Sequence, residues 1–361
     1  MISNYQEKIK ELLKTAIDQN SSDLHISVGY PPTLRIGGRL VPLLKMETLS
    51  PADAQGLAFA LMDSEQKKRL FNVKEVDFSY NFEERARFRV NIFFQKGYIS
   101  CSLRLIPNKI LTIEELNLPP ILHKFIQPTQ GFLLITGPSR QGKSTTLAAL
   151  IDEINHSRMC HIITIEDPIE YVFEGDRSII DQREVYQDTL SFARALRSTF
   201  RQDPDVIMVG EMRDAETISI ALSAAETGHL VLSTLHTNSA SQTIHRIVDS
   251  FPPEQQLQVR AQLADSLLGV VSQRLIPRIK GGLIPACEIM INTPAVANLI
   301  RENKTHELPI IIETSSEIGM ISLNRYLANL IKIKEISLET AINYSLAPSE
   351  LRSLIKSQSK L

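Results

Sequence analysis

Tryptophan is absent from this chain of 361 residues, and cysteine occurs three times, at Cys101, Cys160 and Cys287. The three cysteines lie far apart with no C-x-x-C pair, so neither a disulfide framework nor a four-cysteine zinc module can be assembled from them. Long apolar runs are missing as well. None approaches the roughly 18 residues that a membrane-spanning helix needs, and the charged stretch over residues 1–14 lacks the apolar core of a signal peptide. These absences read as a cytoplasmic protein that meets a membrane only through partners. There is also no excess of charge of one sign: 39 Lys and Arg stand against 41 Asp and Glu, a formal net charge of −2. Without a global basic field, a basic cluster or a tryptophan, no nucleic-acid partner is expected. Repeats and low-complexity segments are not found.

What is present is enough apolar material, 43% of residues, for two or three domains with sizeable cores. Tyr5, Ile9, Leu12, Leu13, Ala16 and Ile17 form one face of an amphipathic first helix. Short strand patterns follow at 24–27, 33–36, 76–80, 87–92 and 99–105, with a helical stretch over 51–71 between them. An α+β domain over residues 1–105 is the reading. Residues 106–120, bounded by Pro107 and Pro119-Pro120, have no clear period and read as a linker. From Gly131 onward, strands alternate with helical patterns, as in a mostly parallel sheet with helices on both faces. The second domain therefore spans 121–361, and helices dominate it from about residue 294.

Gly137-Pro138-Ser139-Arg140-Gln141-Gly142-Lys143-Ser144 fits the phosphate-cradling pattern G-x-x-x-x-G-K-[ST]. The apolar run 132–136 before it reads as a buried strand, and from Thr145 the chain has helical spacing with Leu147, Leu150, Ile151 and Ile154 on one face. A loop that ends at a helix N-terminus aims backbone N–H groups and the positive end of the helix dipole at phosphates. Lys143 would reach the β and γ phosphates and the Ser144 hydroxyl would coordinate Mg²⁺. The loop through Thr145 is thus the candidate ATP site.

Two acidic segments supply what a cradle lacks. Residues 206–209 form a buried-strand run that carries Glu211 to the same sheet edge as the loop, where it becomes the candidate support for the metal. Residues 162–165 lead into Glu166, Asp167 and Glu170. Hydrolysis needs a group that orients and deprotonates water, and these three carboxylates compete for that role. A third segment, residues 230–235, carries His229 at one end and His236 at the other, and a histidine beside a γ-phosphate can sense it by hydrogen bonding.

In this order the boxes resemble those of the secretion ATPase superfamily that powers type II secretion and type IV pili. The marks are the phosphate loop, the acidic box over 165–171, the segment from Asp203-Pro204-Asp205 through Glu211 to Asp214, and the histidine box Thr227-Gly228-His229 to His236-Thr237-Asn238. Ser22-Asp23-Leu24-His25 and Arg87-Phe88-Arg89-Val90-Asn91 extend the likeness to nearly the whole chain. Its length, the missing cysteine insert and the tail Asn298-Leu299-Ile300-Arg301-Glu302 look like the retraction branch.

The resemblance implies an α/β fold, with an N-terminal PAS-like α+β domain followed by a RecA-like P-loop NTPase domain with a helical C-terminal part. It implies an ATP hydrolase using ATP and Mg²⁺, in which Lys143 and Ser144 hold phosphate and metal, Glu211 supports the metal, Glu170 polarises water and His229 stands near the γ-phosphate. It further implies a homohexamer with arginines crossing the subunit boundary, for which Arg87, Arg89 and Arg104 are the candidates. Pilus retraction and twitching motility, an inner-membrane platform protein of the PilC type as partner, and a place peripheral to the inner membrane at the pilus base follow from the same likeness. An accessory retraction paralogue, an extension or secretion motor and a RecA-like nucleic-acid motor are the rival readings. The chain departs from the pattern at Arg140, where most members carry a mid-loop glycine, and at Ala297, where the retraction signature usually has Arg. If the loop requires positive φ at Arg140, strain on the order of 1 kcal/mol is expected there.

Overall fold

Alternation of apolar and polar residues in the first hundred positions builds an antiparallel sheet with one covered face. The computed structural model describes residues 2–83, 86–106 and 109–358, and Pro107 of the expected linker lies outside them. The chain folds as two compact units, Met1–Lys109 with Asp167–Val172, and Ile110–Glu166 with Phe173–Leu361.

In the first unit, helix α1 (Ile2–Asp18) precedes strands β1 (Asp23–Ile26), β2 (Thr33–Ile36) and β3 (Arg39–Pro42). Helices α2 (Pro51–Leu61) and α3 (Ser64–Val73) follow, then β4 (Glu75–Phe82), β5 (Ala86–Gln95) and β6 (Tyr98–Ile106). The sheet order is β3-β2-β1-β6-β5-β4, antiparallel throughout. Along β5, Phe88, Val90 and Ile92 are buried and meet Leu12 and Leu13 of α1 and Leu57 of α2 in one core, while Arg87, Arg89 and Asn91 occupy the opposite face. The single helix expected over 51–71 is two helices. Asp63 breaks it, because its side chain accepts from Gln66 N while Gln66 caps Asp63 in return, a reciprocal pair that starts a new helix.

The second unit opens with a stretch of the expected linker whose Ile113 and Leu118 are buried, followed by α4 (Leu122–Phe125). Strand β7 (Gly131–Thr136) leads through the phosphate loop into α5 (Lys143–Ser157), and β8 (His161–Glu166) and β9 (Ile179–Glu184) follow. Helix α6 (Phe192–Thr199), β10 (Val206–Val209), α7 (Ala215–Glu226) and β11 (Leu230–Leu235) continue the alternation. After α8 (Ala240–Asp249) and α9 (Pro253–Ser266) come β12 (Leu267–Pro277) and β13 (Leu283–Ile291). The tail is helical: α10 (Pro294–Arg301), α11 (Leu308–Thr314), α12 (Leu323–Lys332), α13 (Leu338–Tyr344) and α14 (Pro348–Gln358).

Sheet order here is β13-β12-β7-β11-β10-β8-β9, parallel except for β13. Every residue of β7, β10 and β11 is buried, which is why these strands read as largely apolar runs, with the hydroxyls of Ser233 and Thr234 in β11 satisfied by the Val209 and Gly210 carbonyls. Parallel pairing of β7, β8, β10 and β11 puts their C-terminal ends on one edge, with Thr136 opposite Leu235 and Val209 opposite both Ile165 and Ser233. Whatever follows those strands in sequence is gathered there. Among the described residues no helix is long and apolar enough to cross a membrane.

Candidate nucleotide site

The loop between β7 and α5 takes a shape that few residues tolerate. Gly137 has φ of 145°, and a Cβ there would come within 2.3 Å of the Gln273 carbonyl oxygen on β12, so only glycine fits. Gly142, at φ 78°, is the residue preceding α5. Arg140 sits at φ 64°, a left-handed conformation that costs a non-glycine residue about 1 kcal/mol. The missing mid-loop glycine thus leaves the strain expected from the sequence.

Lys143 begins α5 and is buried. Its ammonium donates to the carbonyls of Gly137 and Pro138, both at 2.8 Å, and lies 3.3 Å from Nδ1 of His236. Ser144 is exposed on the first turn of α5, with Thr145 half-buried beside it. Glu211, two residues beyond β10, is ion-paired with Arg213, and one of its oxygens is 3.6 Å from Nε2 of His236. An ammonium can only donate, so acceptor is the role open to Nδ1 of His236 in that contact, and Nε2 faces the Glu211 carboxylate. Lys143, His236 and Glu211 therefore form one chain of polar groups along the loop's edge of the sheet.

His229, expected near the γ-phosphate, lies elsewhere within the subunit. It precedes β11 rather than following it, so within the subunit it lies at the opposite edge of the sheet, roughly 20 Å away along the strand. Its backbone carbonyl accepts from Gly131 N at the start of β7. Nδ1 hydrogen-bonds the Ala224 carbonyl at 2.9 Å and the ring packs edge-on against Phe200 at 5.7 Å. In a parallel sheet the ligand edge is at the strands' C-terminal ends, and it is His236 that follows β11 there.

Of the competing carboxylates, Glu166 is buried at the end of β8, where Thr164 Oγ1 donates to it at 2.7 Å and Gln182 Nε2 at 3.2 Å. Those donors hold it as part of the sheet edge. Glu170 belongs to the first unit, where Nη1 of Arg89 donates to its Oε1 at 3.2 Å. Arg104 on β6 pairs with Asp23 at 3.0 Å, and Arg87 donates to Asn81 Oδ1 at 3.0 Å. The structure thus brings together Lys143, His236 and Glu211 in the second unit and Arg89 with Glu170 in the first.

Oxygen donors suit a hard divalent cation such as Mg²⁺, which takes one or two protein ligands and completes its shell with phosphate and water. The exposed Ser144 hydroxyl and the Glu211 carboxylate have the required chemistry. Gln273 went unnoticed in the sequence; its buried amide belongs to the polar triplet Ser272-Gln273-Arg274 that interrupts the apolar run of β12, and that interruption is the signal that could have drawn attention to it.

The chain matches the family model for type II/IV secretion system proteins over residues 3–308. It is 47% identical over 333 residues to the type IV pilus retractation ATPase PilT of Pseudomonas aeruginosa, covering 92% of this chain and 96% of that one. To a twitching motility protein of Neisseria gonorrhoeae it is 43% identical over 334 residues, covering 92% and 89%. Among solved structures, that of the pilus retraction motor PilT with bound ADP aligns at a TM-score of 0.88 and 47% identity, covering 95% of this chain and 98% of that one.

Proposed function

We propose, from the premise that this chain belongs to the type II/IV secretion system protein family, that it is the ATP-hydrolysing motor of type IV pilus retraction. End-to-end agreement with a retraction ATPase, nearly the full length of both chains being covered, is the observation that carries the reading. The chemistry of the site supports it. In binding ATP, Lys143 exchanges the loop carbonyls of Gly137 and Pro138 for phosphate oxygens, and the loop N–H groups and the start of α5 hold the remaining negative charge. His236, already beside the Lys143 ammonium, is placed to register whether a γ-phosphate is present.

Ser144 would hold Mg²⁺ with Glu211 as its support, and the ion would supply positive charge to offset the negative charge of the phosphates. Glu170 orients the attacking water, and Arg89, its partner within the first unit, is one of the cations offered to a neighbouring site. The motor acts as a ring of six copies. ATP binding closes the boundary between neighbours and hydrolysis reopens it, so that successive firing becomes a cyclic domain motion. That motion is handed to a PilC-type platform protein in the inner membrane, against which the ring sits from the cytoplasmic side, and pilin removal with twitching motility is the outcome.

A strain lacking this chain tests the direction of the motor. Excess, unretracted pili are expected, together with Mg²⁺-dependent ATP turnover by the purified protein. Bald cells would reassign it to extension, and a protein without turnover would end the motor reading.

A further inference from the structure

Given an ATPase, we infer that Gln273 of β12 is a positioning residue for nucleotide binding: it fixes the shape of the phosphate loop through groups that touch no phosphate. The inference rests on the proposed function above and concerns the same site. Gln273 is 2% exposed, and a buried primary amide needs hydrogen-bond partners for its nitrogen and its oxygen. Nε2 donates to the Gln141 carbonyl at 2.7 Å, and Oε1 accepts from Thr146 Oγ1 at 2.8 Å. One side chain therefore ties the last stretch of the loop to the first turn of α5.

The backbone of the same strand adds two further constraints. Leu275 N–H donates to Oε1 of Gln141 at 2.6 Å, so Gln141 is held by its main chain and by its side chain. The Gln273 carbonyl oxygen lies where a Cβ on Gly137 would meet it at 2.3 Å, so the other end of the loop runs in close approach to β12. Between these anchors stands Arg140, in the left-handed conformation that a side chain disfavours. A loop with this residue tends to relax, and relaxation would turn backbone N–H groups away from the phosphates they must face. The bonds at Gln141, the very next residue, oppose that relaxation. Gln273 thereby takes over part of what a mid-loop glycine does without help.

Loop N–H groups contact phosphate in the ground state and in the transition state alike, so misaiming them weakens binding rather than the chemical step. Gln273→Met keeps the side chain's length but leaves the Gln141 carbonyl and the Thr146 hydroxyl without a partner. The expected result is a KM for MgATP raised about 10-fold, with kcat within about 3-fold of wild type. In the Arg140→Gly background, where positive φ is no longer strained, the same substitution should raise KM by less than about 3-fold. Steady-state turnover and titration with a fluorescent ATP analogue read both quantities, with thermal melting as a check on folding. Should Gln273→Met fail to fold, Gln273→Glu, which still accepts from Thr146 but cannot donate to Gln141, carries the test with the same expected rise.

A packing role alone would lower the melting temperature and leave KM unchanged. That result, or an equal KM rise in both backgrounds, overturns the inference while the ATPase reading stands. Failure of the wild-type protein to bind MgATP overturns both.

Discussion

Nδ1 of His236 stands 3.3 Å from the ammonium of Lys143, and the other face of the same ring looks toward Glu211. One imidazole thus connects Lys143 to Glu211, while His229, the other histidine of the box, lies at the opposite end of β11.

Lys143→Ala should reduce ATP turnover at least about 100-fold, since it removes the buried ammonium at the loop's end that is proposed to follow charge onto the phosphates. His236→Ala should slow turnover with little change in melting temperature. His229→Ala should do the reverse, costing about 1 kcal/mol of stability through the lost Ala224 hydrogen bond and Phe200 contact. Phosphate release and thermal melting of the three variants check the assignment. A His229→Ala protein of normal stability and impaired turnover would return the sensing role to His229.

Glu170→Gln is expected to bind ATP normally and hydrolyse it about 100-fold or more slowly, the range typical of a lost general base. Glu166→Gln should retain most of its turnover, because its carboxylate is engaged by Thr164 and Gln182. Single-turnover assays with both variants decide between them, and slow hydrolysis confined to Glu166→Gln would move the water-orienting role there.

Arg140→Gly should raise thermal stability, by about 1 kcal/mol or somewhat less, since glycine enters the left-handed region without the penalty that arginine carries but loses more chain entropy on folding. Denaturant titration of the two proteins measures it. A destabilised glycine variant would mean that the Arg140 side chain holds the loop by contacts that outweigh its backbone strain.

His123 on α4 lies between two carboxylates, with Nδ1 2.7 Å from Glu153 of α5 and Nε2 2.8 Å from Glu114. The hydrogen bond to Glu153, opposed by partial burial and reinforced by that residue's charge and by Glu114, raises its pKa above the ordinary histidine value. A raised folded-state pKa means stabilisation that is complete below the unfolded value and is lost as pH climbs through the folded one. The stability gap between wild type and His123→Gln should therefore be larger at pH 6 than at pH 8.5. Urea melts at the two pH values test this, and a gap that widens with pH would contradict the ion-pair account.

Much of the fold and part of the site were legible in the residues themselves. The glycine-bounded loop with Lys143 and Ser144 is contiguous in sequence, and the strands at 132–136, 206–209 and 230–235 are buried on both faces, so each announced itself as a largely apolar run. The break at Asp63 was missed because a reciprocal cap with Gln66 outweighs a helical period that continues across it.

By itself the sequence determined the elements whose causes are local: apolar periodicity, a phosphate loop, capping residues, and the acidic segments that follow their strands. Tertiary structure alone decided which distant groups meet. Parallel register placed His236 beside Lys143 and sent His229 to the other end of the strand, pairing of β12 with β7 set Gln273 against a loop about 130 positions earlier, and folding joined Arg89 to Glu170 across 81 positions. The physical reason is that hydrogen bonds and ion pairs depend on distances of a few ångströms, which chain order does not fix until strand direction and register have been chosen.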